Sequence, residues 1–251
     1  MAFTTSFATP PTLAMLIVAS TSFSSPLFAA DPILEPARKW AAVSGLPGEE
    51  AGKGFKKLAK SLSGLACGAE VSGERRCLLA PDERTSAYFL TLKDGAVVLG
   101  PQLPLLETPG VAVNQPESKL EGDFEAVARD GNAYWVFGSH STRRTEDDET
   151  KCLPETLRRH VYRFDVDAKT GLPSGPFDAD HVPSFVRSFD HLPKVVAAVP
   201  ELKEVVDAAI CADKGGFNLD GATVSDGEFA VGLRAPLGKD GAALVVTFGA
   251  A

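Results

Sequence analysis

The sequence lacks the features that would place it in a nucleic-acid-binding, membrane or standard enzyme class. Its net charge is −8 and it contains no basic run, so it would repel a polyanion and we expect no nucleic-acid partner. No apolar run is long enough to span a bilayer, so we expect no membrane span in the mature chain. The glycine-flanked serine of hydrolases, the His-Glu-x-x-His zinc motif, the phosphate-binding glycine loop and the EF-hand loop are all missing. Motifs alone therefore name no reaction.

Residues 1–30 contain no charged side chain, and residues 13–19 at their centre are apolar. This outline predicts a secretory signal peptide over residues 1–30, with a mature chain that begins near Asp31 and is secreted or periplasmic. Two details depart from the usual pattern: no Lys or Arg precedes the apolar centre, and Leu27 and Phe28 are bulky where the cleavage site favours small residues. The alternative is an N-terminal extension without regular structure.

The chain has only four cysteines, at positions 67, 77, 152 and 211. In an oxidising compartment thiols tend to pair, and four cysteines allow three pairings. Cys67 and Cys77 flank a polar loop with two glycines and could join the ends of a hairpin, in which case Cys152 and Cys211 close a long loop. No two cysteines have the spacing of a structural zinc site, so we favour disulfides and the sequence requires no cofactor.

Three segments repeat one pattern: a polar residue, a small residue, an apolar strand and a polar stop. The polar and small residues are Ser63-Gly64, Glu125-Ala126 and Asp220-Gly221. The polar stops include Asp82, His140 and Arg234. Such repetition is typical of the blades of a β-propeller. We therefore predict an all-β, propeller-like domain over residues 61–251.

Local patterns supply the elements of this domain. Asp94-Gly95 predicts the turn of a hairpin between strands at 87–92 and 96–99, and residues 160–166 alternate as a half-buried strand does. Residues 31–60 have weak periodicity and are expected to form a leading segment with little regular structure. Between Pro200 and Gly215-Gly216, apolar residues recur at helical spacing, which predicts one inserted helix near 201–213.

Four motifs resemble the bacterial DUF3616 family, and the resemblance covers roughly residues 60–248. The motifs are Asp123-Phe124-Glu125-Ala126-Val127-Ala128, Gly138-Ser139-His140-Ser141, Leu219-Asp220-Gly221-Ala222 and Gly232-Leu233-Arg234-Ala235-Pro236-Leu237. The resemblance implies a propeller-like all-β domain of unassigned activity, similar in architecture to esterase-like phytase propellers. The chain departs from the family at Glu125-Ala126, where the family has an acidic residue followed by glycine. The resemblance also implies a further blade after Arg234-Ala235-Pro236, so we expect an incomplete or truncated propeller.

The repeat predicts a polar channel mouth as the site. In a propeller the first strand of each blade lines the channel, so Glu125 and Asp220 would point towards one axis. Carboxylates are hard oxygen ligands, which makes a Ca²⁺ ion held by Glu125 and Asp220 one interpretation. The favoured alternative is that both carboxylates accept backbone N–H bonds and fix the joints between blades. The residues predicted to bind a ligand are Asp82, Glu125, His140, Asp220 and Arg234.

Two of these residues have competing interpretations. His140 stands between Ser139 and Ser141, but neighbouring residues of a strand point to opposite faces, so a nucleophile and base pair of Ser139 and His140 is not expected. Arg234 either clamps a carboxylate or phosphate of a ligand or pairs with Asp220 or Glu125.

Three functions remain open from the sequence. The leading one is an exported domain whose channel mouth binds a small anionic or metal-bridged ligand. The second is calcium-assisted hydrolysis of phosphate or carboxylic esters at the same place. The third is a non-catalytic scaffold of the cell envelope, or a truncated product, in which the same residues serve blade geometry.

Overall fold

The computed structural model describes residues 62–82, 84–106, 122–145, 147–148 and 150–249. All of these belong to one compact unit. The signal peptide predicted at residues 1–30 and the leading segment predicted at residues 31–60 lie outside the described residues.

The first sheet is a meander of four antiparallel strands that follow one another in the chain. They are β1 (Leu62–Val71), β2 (Glu74–Pro81), β3 (Ser86–Lys93) and β4 (Ala96–Pro104). Ser72-Gly73 joins β1 to β2 and Asp94-Gly95 joins β3 to β4, and all four residues have positive φ. Two positive φ angles define the hairpin turn whose twist matches that of its strands. The hairpin predicted around Asp94-Gly95 is confirmed.

The second sheet repeats this plan with an excursion between its second and third strands. Its strands are β5 (Phe124–Asp130), β6 (Ala133–Gly138), β9 (Val161–Asp165) and β10 (Arg187–Phe189), in that order. The excursion forms a two-stranded ribbon of β7 (Thr142–Arg144) and β8 (Cys152–Pro154). The strand predicted at residues 160–166 is thereby confirmed as β9.

The third sheet has three described strands, β11 (Asn218–Ser225), β12 (Glu228–Ala235) and β13 (Leu244–Gly249). Strand β5 contacts both β1 and β11, so the first strands of the three sheets lie side by side. This is how successive blades meet in a propeller. The all-β class is confirmed, whereas closure into a propeller stays a prediction.

The inserted helix lies earlier in the chain than the sequence predicts. The structure forms α1 at Leu192–Val196, with two short 3₁₀ helices at Thr156–Arg158 and Ala212–Lys214, and residues 201–207 form successive turns. Within these turns Leu202 and Val206 are buried, which explains their helical spacing. The turns do not continue to residue 213 because the Thr142 hydroxyl donates to the Ile210 carbonyl and Cys211, which is disulfide-bonded, has extended backbone. No helix in the described part of the chain is long and apolar enough to cross a membrane.

The core lies on both faces of the second sheet. Tyr134 and Val136 of β6 pack with Phe89 of the first sheet, whereas Trp135 and Phe137 pack with the third sheet. Alternate residues of a strand point to opposite faces, which is why one aromatic strand can serve both interfaces. Burying a side chain of this size stabilises the fold by about 1.5–3 kcal/mol. The second sheet is therefore held from both sides.

The four cysteines form two disulfides. Cys67 pairs with Cys77 across β1 and β2, and Cys152 pairs with Cys211, with Cα–Cα distances of 3.9 and 5.3 Å. Of the three pairings open from the sequence, the one that joins a hairpin and closes a long loop is present. The second bridge ties ribbon strand β8 to the segment before β11.

Candidate functional site

The repeated polar residue is a β-bulge in each sheet. Pairing between the first and second strand skips one residue near the start of the first strand, and the skipped residues are Ser63, Glu125 and Asp220. A bulge leaves its extra residue unpaired and redirects the side chain. The small residue that follows serves packing at Gly64, where a Cβ atom would lie 2.7 Å from the Val127 nitrogen of β5. The repeated sequence pattern therefore corresponds to a repeated backbone bulge, which sets the direction of the Ser63, Glu125 and Asp220 side chains.

A polar cavity of about 880 Å³, here the Glu125 cavity, opens beside the bulge of β5. It brings together Asp82, Glu125 and Arg234, three of the five residues predicted to bind a ligand. Other polar side chains in its lining are Asp123, Ser141, Thr142, Arg143, Arg144, Arg158, Asp213 and Asn218. Charged groups of both signs thus face one space.

Glu125 is the acid most altered by this setting. Its pKa rises from 4.5 to about 7, first because burial penalises the carboxylate and then because Asp123, Asp220 and Asp82 repel its charge. Arg234 acts in the opposite direction and lowers the pKa. Asp220 does not line the cavity, but it is close enough to Glu125 to raise the pKa of that carboxyl group. Near neutral pH this carboxyl group can both give and take a proton.

Arg234 differs from the other arginines around the cavity. Arg143 bonds to Glu155 at 3.1 Å, Arg144 to Asp213 at 3.1 Å and Arg158 to Asp123 at 2.9 Å. Arg234 is exposed at the end of β12 and forms no ion pair with any residue that the structure describes. No salt bridge joins Arg234 to Asp220 or Glu125, although its charge still lowers the pKa of Glu125.

Asp123 organises a second polar group that the sequence did not predict. Its Oδ2 accepts hydrogen bonds from the hydroxyls of Ser139, at 2.5 Å, and Ser141, at 3.1 Å, as well as from Arg158. Arg158 also donates to the Ser141 hydroxyl at 3.1 Å. Asp123 has a φ of 47°, a conformation that Asp and Asn adopt more readily than most residues. An aspartate directly before a strand, with two serines after the paired strand, is the signal that could have revealed this group.

His140 is not part of the lining of the Glu125 cavity. The side chain is buried, its ring packs edge-on to Phe217, and neither ring nitrogen has a hydrogen-bond partner among the described residues. Burial first, then Arg159 and His160, lower its pKa to about 3, so the ring is neutral at physiological pH. Ser139 bonds to Asp123 and not to His140. His140, which the sequence predicted to bind a ligand, is therefore not positioned to contact a molecule in the Glu125 cavity.

The carboxylates do not form a compact metal site within the described ranges. No group of three or more His, Cys, Asp or Glu side chains there is arranged to hold a metal ion. Glu125 and Asp220, the predicted calcium ligands, influence one another electrostatically without a third such residue joining them.

The fold and the cavity define an all-β protein of antiparallel sheets with a polar cleft beside the first strand of the second sheet. Residues 68–162 match the model of a family described as "Protein of unknown function (DUF3616)". This match confirms the resemblance found in the motifs of the sequence. The segment runs from β1 to β9 and includes Asp82, Asp123 and Glu125. No curated protein matches the chain.

Proposed function

We propose that this protein binds a small anionic molecule in the Glu125 cavity. The observation that carries the proposal is the exposed Arg234 guanidinium, which has no partner carboxylate among the described residues while the other arginines of the lining are paired. A guanidinium in this state offers two parallel N–H donors to a carboxylate or phosphate. A cavity of about 880 Å³ is within the range of small-molecule sites.

Glu125 sets the pH range in which such an anion can bind. Below a pH of about 7 the carboxyl group is protonated and can donate a hydrogen bond to the ligand. Above that pH its negative charge joins those of Asp82 and Asp123 and repels an anion. The affinity is therefore expected to fall as pH rises through neutrality.

Isothermal titration of the full chain with inorganic phosphate and with citrate, at pH 6 and pH 8, tests this proposal. We expect tighter binding at pH 6, and a loss of about tenfold or more in Arg234→Met, because a charge-assisted bidentate contact disappears. Arg187→Met is the matched control, since Arg187 is also exposed but lies on β10 away from the cavity. If phosphate or citrate binds saturably with the same affinity in Arg234→Met and Arg187→Met, Arg234 is rejected as the anchor. If neither anion binds the protein at all, the scaffold function is favoured.

Calcium-assisted hydrolysis of phosphate or carboxylic esters is the second candidate function. It is favoured by the mutual repulsion of Glu125 with Asp82, Asp123 and Asp220, which a bound cation would relieve. A calcium titration followed by thermal unfolding tests the ion, and turnover of p-nitrophenyl esters and phosphates with calcium or EDTA tests the reaction. If calcium leaves the melting temperature of wild type and Glu125→Gln unchanged, this candidate is excluded.

We also propose that the protein is exported. The two disulfides support this location, because such bonds persist in oxidising compartments and are rare in the cytosol. Intact-mass measurement without reduction, on protein from its native compartment, is expected to show both disulfides and the removal of about 30 N-terminal residues. A full-length, fully reduced chain would contradict export.

A further inference from the structure

A second cavity, of about 930 Å³, lies at the opposite end of β5 from Glu125. It is bounded by the β1–β2 hairpin, by the turn Gly131-Asn132 and by the loop 168–172. Arg129 borders this cavity and follows Glu125 by four residues along β5, a spacing that corresponds to about 13 Å in a strand. We call it the Arg129 cavity, and it shares no lining residue with the Glu125 cavity.

Packing against Tyr134 and Gly68 fixes the position of the Arg129 side chain. Its guanidinium lies over the Tyr134 ring, 5.2 Å from the ring centroid. At Gly68 a Cβ atom would lie 1.7 Å from the Arg129 Nη1, so the absence of a side chain there admits the guanidinium. Its buried Nε has no hydrogen-bond partner among the described residues, and no described carboxylate forms an ion pair with it. A cation that is positioned without a counter-charge favours an anion from outside the chain.

Arg76 provides a second oriented guanidinium in the same cavity. Its Nη1 donates to the Thr91 hydroxyl at 2.6 Å, and Gly171 packs so closely on its stem that a Cβ there would lie 2.8 Å from Arg76 Cβ. The loop that carries Gly171 is itself held, because Asp167 accepts hydrogen bonds from the Lys169 and Thr170 nitrogens. The wall opposite β2 is therefore preorganised.

The charges of the lining do not cancel. Arg76, Arg129 and Lys169 are positive, and Glu74 is the one acid among the described lining residues. The Glu74 carboxylate is bound by Lys93 at 2.8 Å and lies 3.6 Å from the Arg76 Nη2, so it is shared between two cations and offsets only part of the Arg76 charge. Three positive charges against one acid leave an excess of about two, which matches a phosphate monoester at neutral pH. This excess is concentrated in a chain whose net charge is −8.

We propose that the Arg129 cavity is a second binding site, which takes a small molecule bearing a phosphate group. Arg129 anchors the phosphate from its place over Tyr134, and Arg76 and Lys169 complete the charge. The polar side chains of Ser72, Asn132 and Thr170 face the remainder of the molecule. The site is independent of the one proposed around Glu125.

Amide chemical-shift mapping by NMR on the full chain tests the site, in an Arg234→Met background that removes the anchor of the Glu125 cavity. The probes are inorganic phosphate, glucose 6-phosphate and acetate. We expect saturable shifts at Gly68, Gly131 and Gly171 with both phosphates, and at least tenfold weaker binding when Arg129→Met is added. Arg187→Met, added to the same background, is the control and should leave the affinity unchanged.

A further variant keeps the test valid if loss of Arg129 harms folding. Lys169→Met removes a charge from an exposed side chain and is expected to weaken glucose 6-phosphate binding severalfold without changing the melting temperature. Absence of saturable shifts at the three glycines would overturn the proposal, as would unchanged affinity in both Arg129→Met and Lys169→Met. Acetate binding as tight as phosphate binding would overturn the assignment of a phosphate group.

Discussion

At the scale of single residues, Glu125 combines a structural position with an altered acidity. As the extra residue of a bulge its side chain is turned out of the sheet, and there it meets the charges of Asp82, Asp123 and Asp220. Because its pKa is about 7 when folded and 4.5 ordinarily, the folded state holds a proton that the unfolded state has already lost between those values. Its contribution to stability is therefore fully present below pH 4.5 and is lost as pH rises through about 7.

Glu125→Gln should remove this pH dependence. We expect the variant to gain stability relative to wild type as pH rises from 4.5 to 7 and to remain ahead above pH 7. Allowing for solvent screening of a half-buried group, the gain above pH 7 is about 1–2 kcal/mol. Urea unfolding at pH 5, 6, 7 and 8 measures it. Glu204→Gln, at an exposed site outside the cavity, is the control and should follow wild type at every pH.

Asp123 is the residue on which three hydrogen-bond donors converge. Asp123→Asn should destabilise the protein by about 2–4 kcal/mol, because the largely buried Arg158 loses its ion pair with Asp123 and two serine hydroxyls lose their charged acceptor. Chemical denaturation near pH 7 measures the change. Asp226→Asn is a matched control, since Asp226 also has positive φ but is exposed in a turn, and its effect should stay within about 0.5 kcal/mol. Similar losses in both variants would mean that backbone conformation, and not the ion pair, is responsible.

At the scale of elements, the three bulges place one polar and one small residue at the start of β1, β5 and β11. The small residue is needed only where two first strands approach closely. At Gly64 an added Cβ would lie 2.7 Å from the Val127 nitrogen and 2.8 Å from the Ala126 carbonyl carbon, whereas at Gly221 no described atom lies within 4 Å. Equivalent positions of the repeat thus carry different packing constraints.

Gly64→Ala and Gly221→Ala form a matched pair that separates packing from the repeat itself. We expect Gly64→Ala to cost about 1–3 kcal/mol through overpacking between β1 and β5. Gly221→Ala should be neutral or stabilise by about 0.5 kcal/mol, because alanine restricts the unfolded chain. Equilibrium unfolding in urea compares the two. Equal effects at both positions would show that the close approach of β1 to β5 is not what requires glycine at position 64.

Predictability at this scale follows the range of the interactions. The turns at Asp94-Gly95 and Asp226-Gly227 could be predicted because a local pair of residues dictates positive φ. The helix was misplaced because Leu202 and Val206 have helical spacing, while contacts at Ile210 and Cys211 from distant Thr142 and Cys152 limit the segment. The spacing of apolar residues within a segment does not reveal a contact with a residue about 60 positions away in the chain.

At the scale of the whole molecule, the two disulfides should contribute unequally. The Cys152–Cys211 bridge spans 59 residues and the Cys67–Cys77 bridge spans 10. In the chain-entropy model, replacing the long-range pair by serines costs about 4 kcal/mol and replacing the short-range pair about 3 kcal/mol. Urea unfolding of the two double variants, without reductant, measures this difference. A greater loss for the Cys67–Cys77 pair would contradict the loop-length argument.

Strand β5 links the two proposed binding sites. It contacts β1 and β11 along its sides and carries Glu125 near one end and Arg129 near the other. Because the core of the second sheet packs on both faces, this strand is a rigid support for both cavities. Binding at one cavity is thus compatible with an unmoved backbone at the other.

The amino-acid sequence by itself determined the all-β class, the turns and the repeated polar step, because strand alternation and turn chemistry act between neighbours in the chain. It also predicted Asp82, Glu125, Asp220 and Arg234 as site residues from their place in the repeat, and the structure brings Asp82, Glu125 and Arg234 to one cavity. Only the tertiary structure decided that Arg234 lacks a partner carboxylate among the described residues, that His140 is buried, and that Asp123 joins Ser139, Ser141 and Arg158. Burial and electrostatic coupling depend on distances between residues far apart in the chain, and folding alone sets those distances.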